Sequence, residues 1–306
     1  MIQTIVMPTV IQAFRAYESR LMASSRITMR YALTRVASEL GFHERNLEEI
    51  PWHLVSALAL QGLVRRWEAE MAASTLKLHV CAVRGLLRSC HAHGLITDEA
   101  YLLLCEIKTL AQPNQLGRGK YVEDWHRQKL MNSCDTDQRH TLAARDKAMI
   151  AILFGAGIRR SEAISLEIHN LDLAGGSLSV LTKGGHLTQK PLALWSIQPL
   201  EDWLALLAAQ GQTSGPVLRR VSNGGRALTD MKADGLYKAL MARSLLADVP
   251  IVKPHDARKT VGTDLIKAKG VSFARVALGQ NSINPTLCYD LSNEKAIRAY
   301  LLSKKD

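Results

Sequence analysis

The chain has 306 residues, as a soft prior two domains of ordinary size, and carries 39 Lys and Arg against 28 Asp and Glu, a net charge of +11. Hydrophobic residues make up 47%, which excludes a disordered chain, and the surplus of cations points to a polyanionic partner rather than a small acidic metabolite. Five cysteines, odd in number and without a Cys-x-x-Cys pair, fit a reduced, cytoplasmic setting better than a disulfide scaffold or a zinc ribbon.

The N-terminus does not read as a signal peptide, because Arg15, Glu18 and Arg20 interrupt its apolar pattern. Apolar spacing of three and four predicts helices over 10–22, 26–40, 53–71 and 74–92. In the last of these, Ser74 or Thr75 can cap the start and Gly94 ends it. Leu76, Val80, Val83, Leu87 and Cys90 form its apolar stripe, and Lys77, Arg84, Arg88 and His91 form a basic stripe rotated by one residue. That second stripe reads equally as a solvated face or as a face for a phosphate backbone. His91 and His93 have no acid or cysteine cluster beside them, so they read as a solvated loop, and no metal is expected.

Residues 112–120, with one Pro and two Gly in a polar run, read as a linker between a helical domain over 1–111 and a second domain over 121–306. Helical patterns follow at 122–133 and 139–155. The run Ala148 to Ile158 is apolar for 11 residues, too short to span a bilayer. Then the period changes to two: residues 177–182 and 187–194 read as a hairpin, and 216–222 as a third short strand. Helices resume at 230–246, 256–268 and 272–278. The whole is mainly α with a small antiparallel sheet. The charge is uneven, with a net of +3 over 1–118 and +8 over 119–306.

Four local features suit phosphate chemistry. In Gly157-Ile158-Arg159-Arg160-Ser161-Glu162, Arg159 and Glu162 share a helix face, so the carboxylate can orient the guanidinium. Lys183 sits at the hairpin tip. Pro254-His255-Asp256-Ala257-Arg258 opens a helix, with His255 and Arg258 three apart where anions are favoured. Asn284-Pro285 reads as an N-cap followed by Pro at the first helical position, which mounts Tyr289 on the first turns of a helix. Each has a bland reading when taken alone, among them a surface ion pair, a capping or packed histidine and a packed tyrosine.

Taken in order, Gly-Ile-Arg-x-Ser-Glu, hairpin Lys, His-x-x-Arg, Leu278-Gly279 and Tyr resemble the tyrosine site-specific recombinases, the phage integrase family, over about residues 121 to 292. The resemblance implies a helical core-binding domain that clamps DNA and an α+β catalytic domain. It implies that Tyr289 attacks the scissile phosphate to give a 3′-phosphotyrosine and that Arg159 and Arg258 hold the non-bridging oxygens. Lys183 would protonate the leaving 5′ oxygen, His255 manage the tyrosine proton, and Glu162 buttress Arg159. Gln280 stands where the family usually has His or Trp, so a more weakly tuned site is expected: an amide can donate a hydrogen bond but carries no charge. Lys77, Arg84, Arg88 and Lys259 are the expected DNA contacts.

The chemistry agrees with that division. A phenol with a pKa near ~10 needs help at neutral pH, fixed guanidiniums match the charge of a phosphoryl transition state, and a leaving alkoxide needs a donor. No metal or nucleotide cofactor is implied. The implied partner is a double-stranded DNA recombination site, occupied by a tetramer linked through a C-terminal tail whose apolar stripe is Ala296, Ile297, Tyr300 and Leu301. Accessory DNA-bending proteins or a second recombinase are compatible with it, and a membrane is not. No separate arm-site module is expected before residue 10. A type IB topoisomerase-like enzyme and a catalytically weakened DNA-binding regulator are the alternatives that share these residues.

Overall fold

The computed structural model describes residues 9–43, 46–107, 119–181, 185, 187–280, 282–287 and 289–290. The chain divides into two compact units, Met1–Asn114 and Gln115–Asp306, each with its own core.

The first unit is built from α1 (Val10–Ser19), α2 (Ala23–Glu39), α3 (Ala57–Glu70), α4 (Ala73–Ala92) and α5 (Asp98–Cys105). Thr9 caps α1 in a capping box with Gln12, and the hydroxyls of Ser56 and Thr97 accept from the first turns of α3 and α5. The central helix is α4. It begins one residue before the predicted start, with Ala72 at the cap and no side-chain cap bond, so neither Ser74 nor Thr75 serves as predicted. Its apolar stripe, Leu76, Val83, Leu87 and Cys90, is buried with Phe14, Leu33, Trp52 and Trp67. Gly85 lets α1 close on α4: a Cβ there would lie 2.6 Å from the Tyr17 ring. Ser89 fastens the same contact by donating to the Ala13 carbonyl at 2.7 Å.

The second unit holds α6 (Asp124–Asp135), α7 (His140–Ala156), α8 (Arg160–Ile164), β1 (Leu171–Asp172), β2 (Ser177–Leu181), β3 (Leu187–Pro191), α9 (Ile197–Ala209), β4 (Arg219–Val221), β5 (Ala227–Asp230), α10 (Ala233–Leu246), α11 (Pro254–Lys269), α12 (Val271–Leu278) and α13 (Asn284–Leu287). The apolar run of the sequence is the core helix α7, enclosed by α6, α9, α10 and α11. A buried Asp146 on α7 binds Arg243 of α10 at 2.6 Å and Arg145 at 2.6 Å, so these three buried charges are paired.

Two sheets replace the single predicted one. The hairpin β2–β3 is extended by β1, in the antiparallel order β1-β2-β3, with Leu178 facing Lys190 across the ladder. The segment 216–222 does not join it. Its strand β4 pairs with β5 through a bulge to form a separate ribbon. Helix α9 goes unpredicted because it is apolar on much of its circumference; its Leu200, Trp203 and Leu207 are fully buried.

Candidate active site

Four segments of the second unit converge on one open cleft of about 790 Å³: the start of α8, the first half of α10, the start of α11 and the turn after α12, with Tyr289 closing it. Arg159, Arg160, Ser161, Tyr237, Lys253, His255, Arg258, Gln280 and Tyr289 line its wall.

Arg159 leads into α8. Glu162 uses both carboxylate oxygens on it, accepting from the Arg159 backbone N–H at 2.7 Å and from its Nη1 at 2.7 Å. The carboxylate side chain is 6% exposed and the guanidinium 44%. A buried anion thus fixes a cation that still faces the cleft, which is more than a solvated surface pair.

Arg258 is held from the opposite side. It is 2% exposed and donates to the Gly157 carbonyl at 2.8 Å and the Leu278 carbonyl at 3.1 Å. Burial, then the nearby Arg159, pull its pKa down; Tyr289, whose phenol stands beside it, and Glu162 act against that. Gly157 ends α7 in the left-handed region at φ +61°, and a Cβ there would lie 2.8 Å from Val261, so the bend that presents this carbonyl requires glycine.

Tyr289 lies in the turn beyond α13, not on a helix as its sequence context predicts. Helix α13 is a single turn of four residues. Tyr289 is 5% exposed, with its ring centroid 6.4 Å from that of His255 at an interplanar angle of 63°. Its carbonyl accepts from Thr263 of α11 at 2.8 Å. Gly262, which the sequence alone does not single out, makes room for the ring: a Cβ there would come within 2.5 Å of it. Gln280 is 7% exposed at the cleft wall and accepts a hydrogen bond from the Thr286 hydroxyl.

Arg159, Glu162, His255, Arg258, Gln280 and Tyr289, predicted separately, are therefore brought together. Lys183 and the tail residues from 291 onward lie outside the described residues. Lys259 departs from its expected role. It is 4% exposed on the inner side of α11, which removes it from a surface that can meet a phosphate backbone. Lys77, Arg84 and Arg88 do stand exposed on α4, lining a groove of about 430 Å³ with Tyr101 and Cys105. Arg84 donates to the Cys105 carbonyl at 3.3 Å and Arg88 to the Tyr101 hydroxyl at 3.2 Å. Sequence reasoning also missed Tyr237 and Lys253, which share only the cleft wall, and Lys190, which is buried behind it.

Two fixed guanidiniums, an imidazole and a phenol line one cleft, a set whose chemistry suits a phosphodiester. The comparisons name the family. Residues 121–295 match the phage integrase family model, so the chain belongs to that family. It is 28% identical over 253 residues to the tyrosine recombinase XerC of Pseudomonas fluorescens, covering 82% of this chain and 80% of the relative. The fold resembles that of the site-specific recombinase XerH bound to palindromic difH substrate, a post-cleavage complex, with a TM-score of 0.70, 17% identity and coverage of 96% and 84%. It also resembles a lambda integrase tetramer bound to a Holliday junction, with a TM-score of 0.63, 14% identity and coverage of 94% and 78%. The protein is a tyrosine recombinase, a DNA strand-transfer enzyme of site-specific recombination.

Proposed function

We propose that Tyr289 is the nucleophile of this recombinase and that the cleft around it receives the scissile phosphate. The meeting of Tyr289 with Arg258, Arg159 and His255 on the wall of one cleft carries this reading. In the proposed step the Tyr289 oxygen bonds to phosphorus as the bond from phosphorus to the 5′ oxygen breaks. The phenolic proton passes toward His255, and the leaving 5′ oxygen takes a proton from Lys183. Arg159 and Arg258 hold the non-bridging oxygens, whose charge grows in the transition state. Glu162 keeps Arg159 in place, and Gln280 supplies a neutral donor. Attack by the 5′ hydroxyl of another strand runs the step backwards, which favours exchange over hydrolysis. The guanidiniums and the lysine supply the charge and the proton, so the step calls for no metal or nucleotide.

The helical unit, residues 1–111 with a linker over 112–120, is read as the core-binding half of a DNA clamp, and Lys77, Arg84 and Arg88 as its phosphate contacts. The partners are double-stranded DNA and further copies of the chain in a tetramer, as in the lambda integrase complex. The tail beyond Asp290 would join neighbouring copies. A groove lined by Trp195, Leu265, Ala268 and Phe273, the last 50% exposed, supports a receiving site for its apolar stripe. No helix among the described residues is long and apolar enough to cross a membrane, and a cytoplasmic setting is proposed.

Covalent trapping on a nicked suicide substrate tests the reading. Wild type should accumulate a protein–DNA adduct, and Tyr289→Phe should bind DNA without forming one. An adduct with the Phe variant would remove Tyr289 as the nucleophile. Joined products from a two-site plasmid, rather than relaxation alone, separate strand exchange from topoisomerase activity.

A further inference from the structure

Strand β3 buries one side chain fully, and it is a lysine. Lys190 is 3% exposed and faces Leu178 across the ladder, a register position that an alternating strand fills with an apolar residue. Its Nζ donates to the Ala277 carbonyl at 2.9 Å.

That carbonyl belongs to a set. A helix leaves its last four carbonyls without intrahelical partners. At the end of α12 each one is taken. The Gln280 N–H donates to Arg275 O at 3.0 Å and the Gly279 N–H to Val276 O at 2.9 Å, closing the turn. Lys190 takes Ala277 O, and Arg258 takes Leu278 O at 3.1 Å. Two buried cations, from β3 and from α11, thus grip consecutive carbonyls where the helix dipole favours positive charge. Gly279, at φ +61°, is shaped to this contact: a Cβ on it would lie 2.3 Å from Lys190 Nζ. The next residue is Gln280, on the wall of the cleft.

We infer that Lys190 is a positioning residue for strand cleavage: it clamps the end of α12 so that Arg258 keeps to the Leu278 carbonyl on that helix and Gln280 is presented to the phosphate. The inference rests on the reading of the cleft as the phosphate site. Lys190 does not line the cleft, so it acts through these two residues. Without it Ala277 O loses its donor, and the guanidinium of Arg258 is free to shift toward the vacated carbonyl.

Its charge is also placed to titrate. Burial first, then the cations Arg258 on α11 and Arg159 before α8, lower its pKa to about 8, with Glu162 on α8 opposing them. Above that pH the clamp keeps a neutral amine, a weaker donor than an ammonium.

The test is single-turnover cleavage of the suicide substrate by Lys190→Met at saturating DNA, beside DNA affinity and a pH series. Cleavage should fall about tenfold to a hundredfold, the cost of a small misplacement of catalytic groups, while affinity stays within about twofold. The wild-type rate should decline through a midpoint near pH 8, the position of the Lys190 amine, and the variant should lose that limb. In a Gln280→Ala background the loss should shrink, because the two residues act through one turn. Equal cleavage by Lys190→Met and wild type, a matching loss of affinity, or a loss undiminished in the Gln280→Ala background overturns the inference. If Lys190→Met fails to fold, the wild-type profile decides, and a rate flat from about pH 7 to 9.5 overturns it. Adduct formation by wild type and its absence in Tyr289→Phe test the nucleophile separately; with those results in hand, a fully active Lys190→Met removes only the positioning role.

Discussion

In the first unit, Lys77, Arg84 and Arg88 stand exposed on the single helix α4, and nothing but helical spacing is needed to align them. In the second, Arg258 is 2% exposed and Lys190 3% exposed. Each is held by carbonyls distant in sequence: Arg258 by Gly157, and Lys190 by Ala277. The difference separates two uses of positive charge. Solvated cations attract a polyanion and act nearly independently of one another. Buried cations are costly, but hydrogen bonds to fixed carbonyls give them a direction, which a phosphoryl transition state can use.

The sharpest way to break this contrast is at Arg258. Arg258→Ala leaves the Gly157 and Leu278 carbonyls without their donor and removes the cation beside Tyr289. Cleavage on the suicide substrate should fall by about 10³-fold or more, with a measurable loss of thermal stability. A smaller effect on cleavage would mean that the cleft is not organised around this guanidinium.

Lys190 sharpens the contrast through pH. A lysine whose folded pKa is depressed contributes stability present above its ordinary pKa of 10.5 and lost as pH falls through about 8. Wild type should therefore gain stability relative to Lys190→Met as pH rises between these values, by up to about 3 kcal/mol. Denaturant unfolding at a series of pH values measures it, and parallel curves would show that burial of the ammonium carries no penalty.

Gly262→Ala asks how closely the nucleophile is packed. The added methyl meets the Tyr289 ring, and overpacking of this kind costs about 1–3 kcal/mol. The adduct should form more slowly with DNA affinity unchanged. The mildest change belongs to α4. Replacing Lys77, Arg84 and Arg88 with Ala should lower the slope of log affinity against log salt by about 0.9 for each DNA phosphate that is no longer neutralised, and leave cleavage at saturating DNA as it was. An unchanged slope would return that stripe to the solvated reading.

How much of this was legible follows the same divide. The amphipathic helices of the first unit and the core helix α7 are visible because their burial is written in local spacing. The pairing of Arg159 with Glu162 is visible because both lie within one turn. Arg258, His255 and Tyr289 could be grouped only because their order resembles a known family; spacing alone leaves each with a bland reading. Three features escaped for physical reasons. Tyr289 follows an Asn-Pro start that looks like a longer helix, yet α13 stops after four residues and leaves the phenol in a turn. Lys259 looks like one more cation on a basic helix until the packing of α11 turns it inward. Lys190 sits in a strand whose pattern says nothing of the α12 carbonyl waiting 87 residues later.

The segment that opens the second unit has a consequence of its own. Lys120 N–H donates to Asp256 at 2.8 Å, Val122 N–H to Thr260 at 2.8 Å, and the Tyr121 hydroxyl to Asp264 at 2.8 Å. Gly119, at φ +100°, passes so close to the His255 carbonyl that a Cβ would lie 2.9 Å from it. All four partners belong to α11, the helix that carries His255 and Arg258. The thread by which the chain enters this unit is sewn along the helix that aims the cations. Displacing residues 119–122 would therefore strip hydrogen bonds from the helix that carries His255 and Arg258.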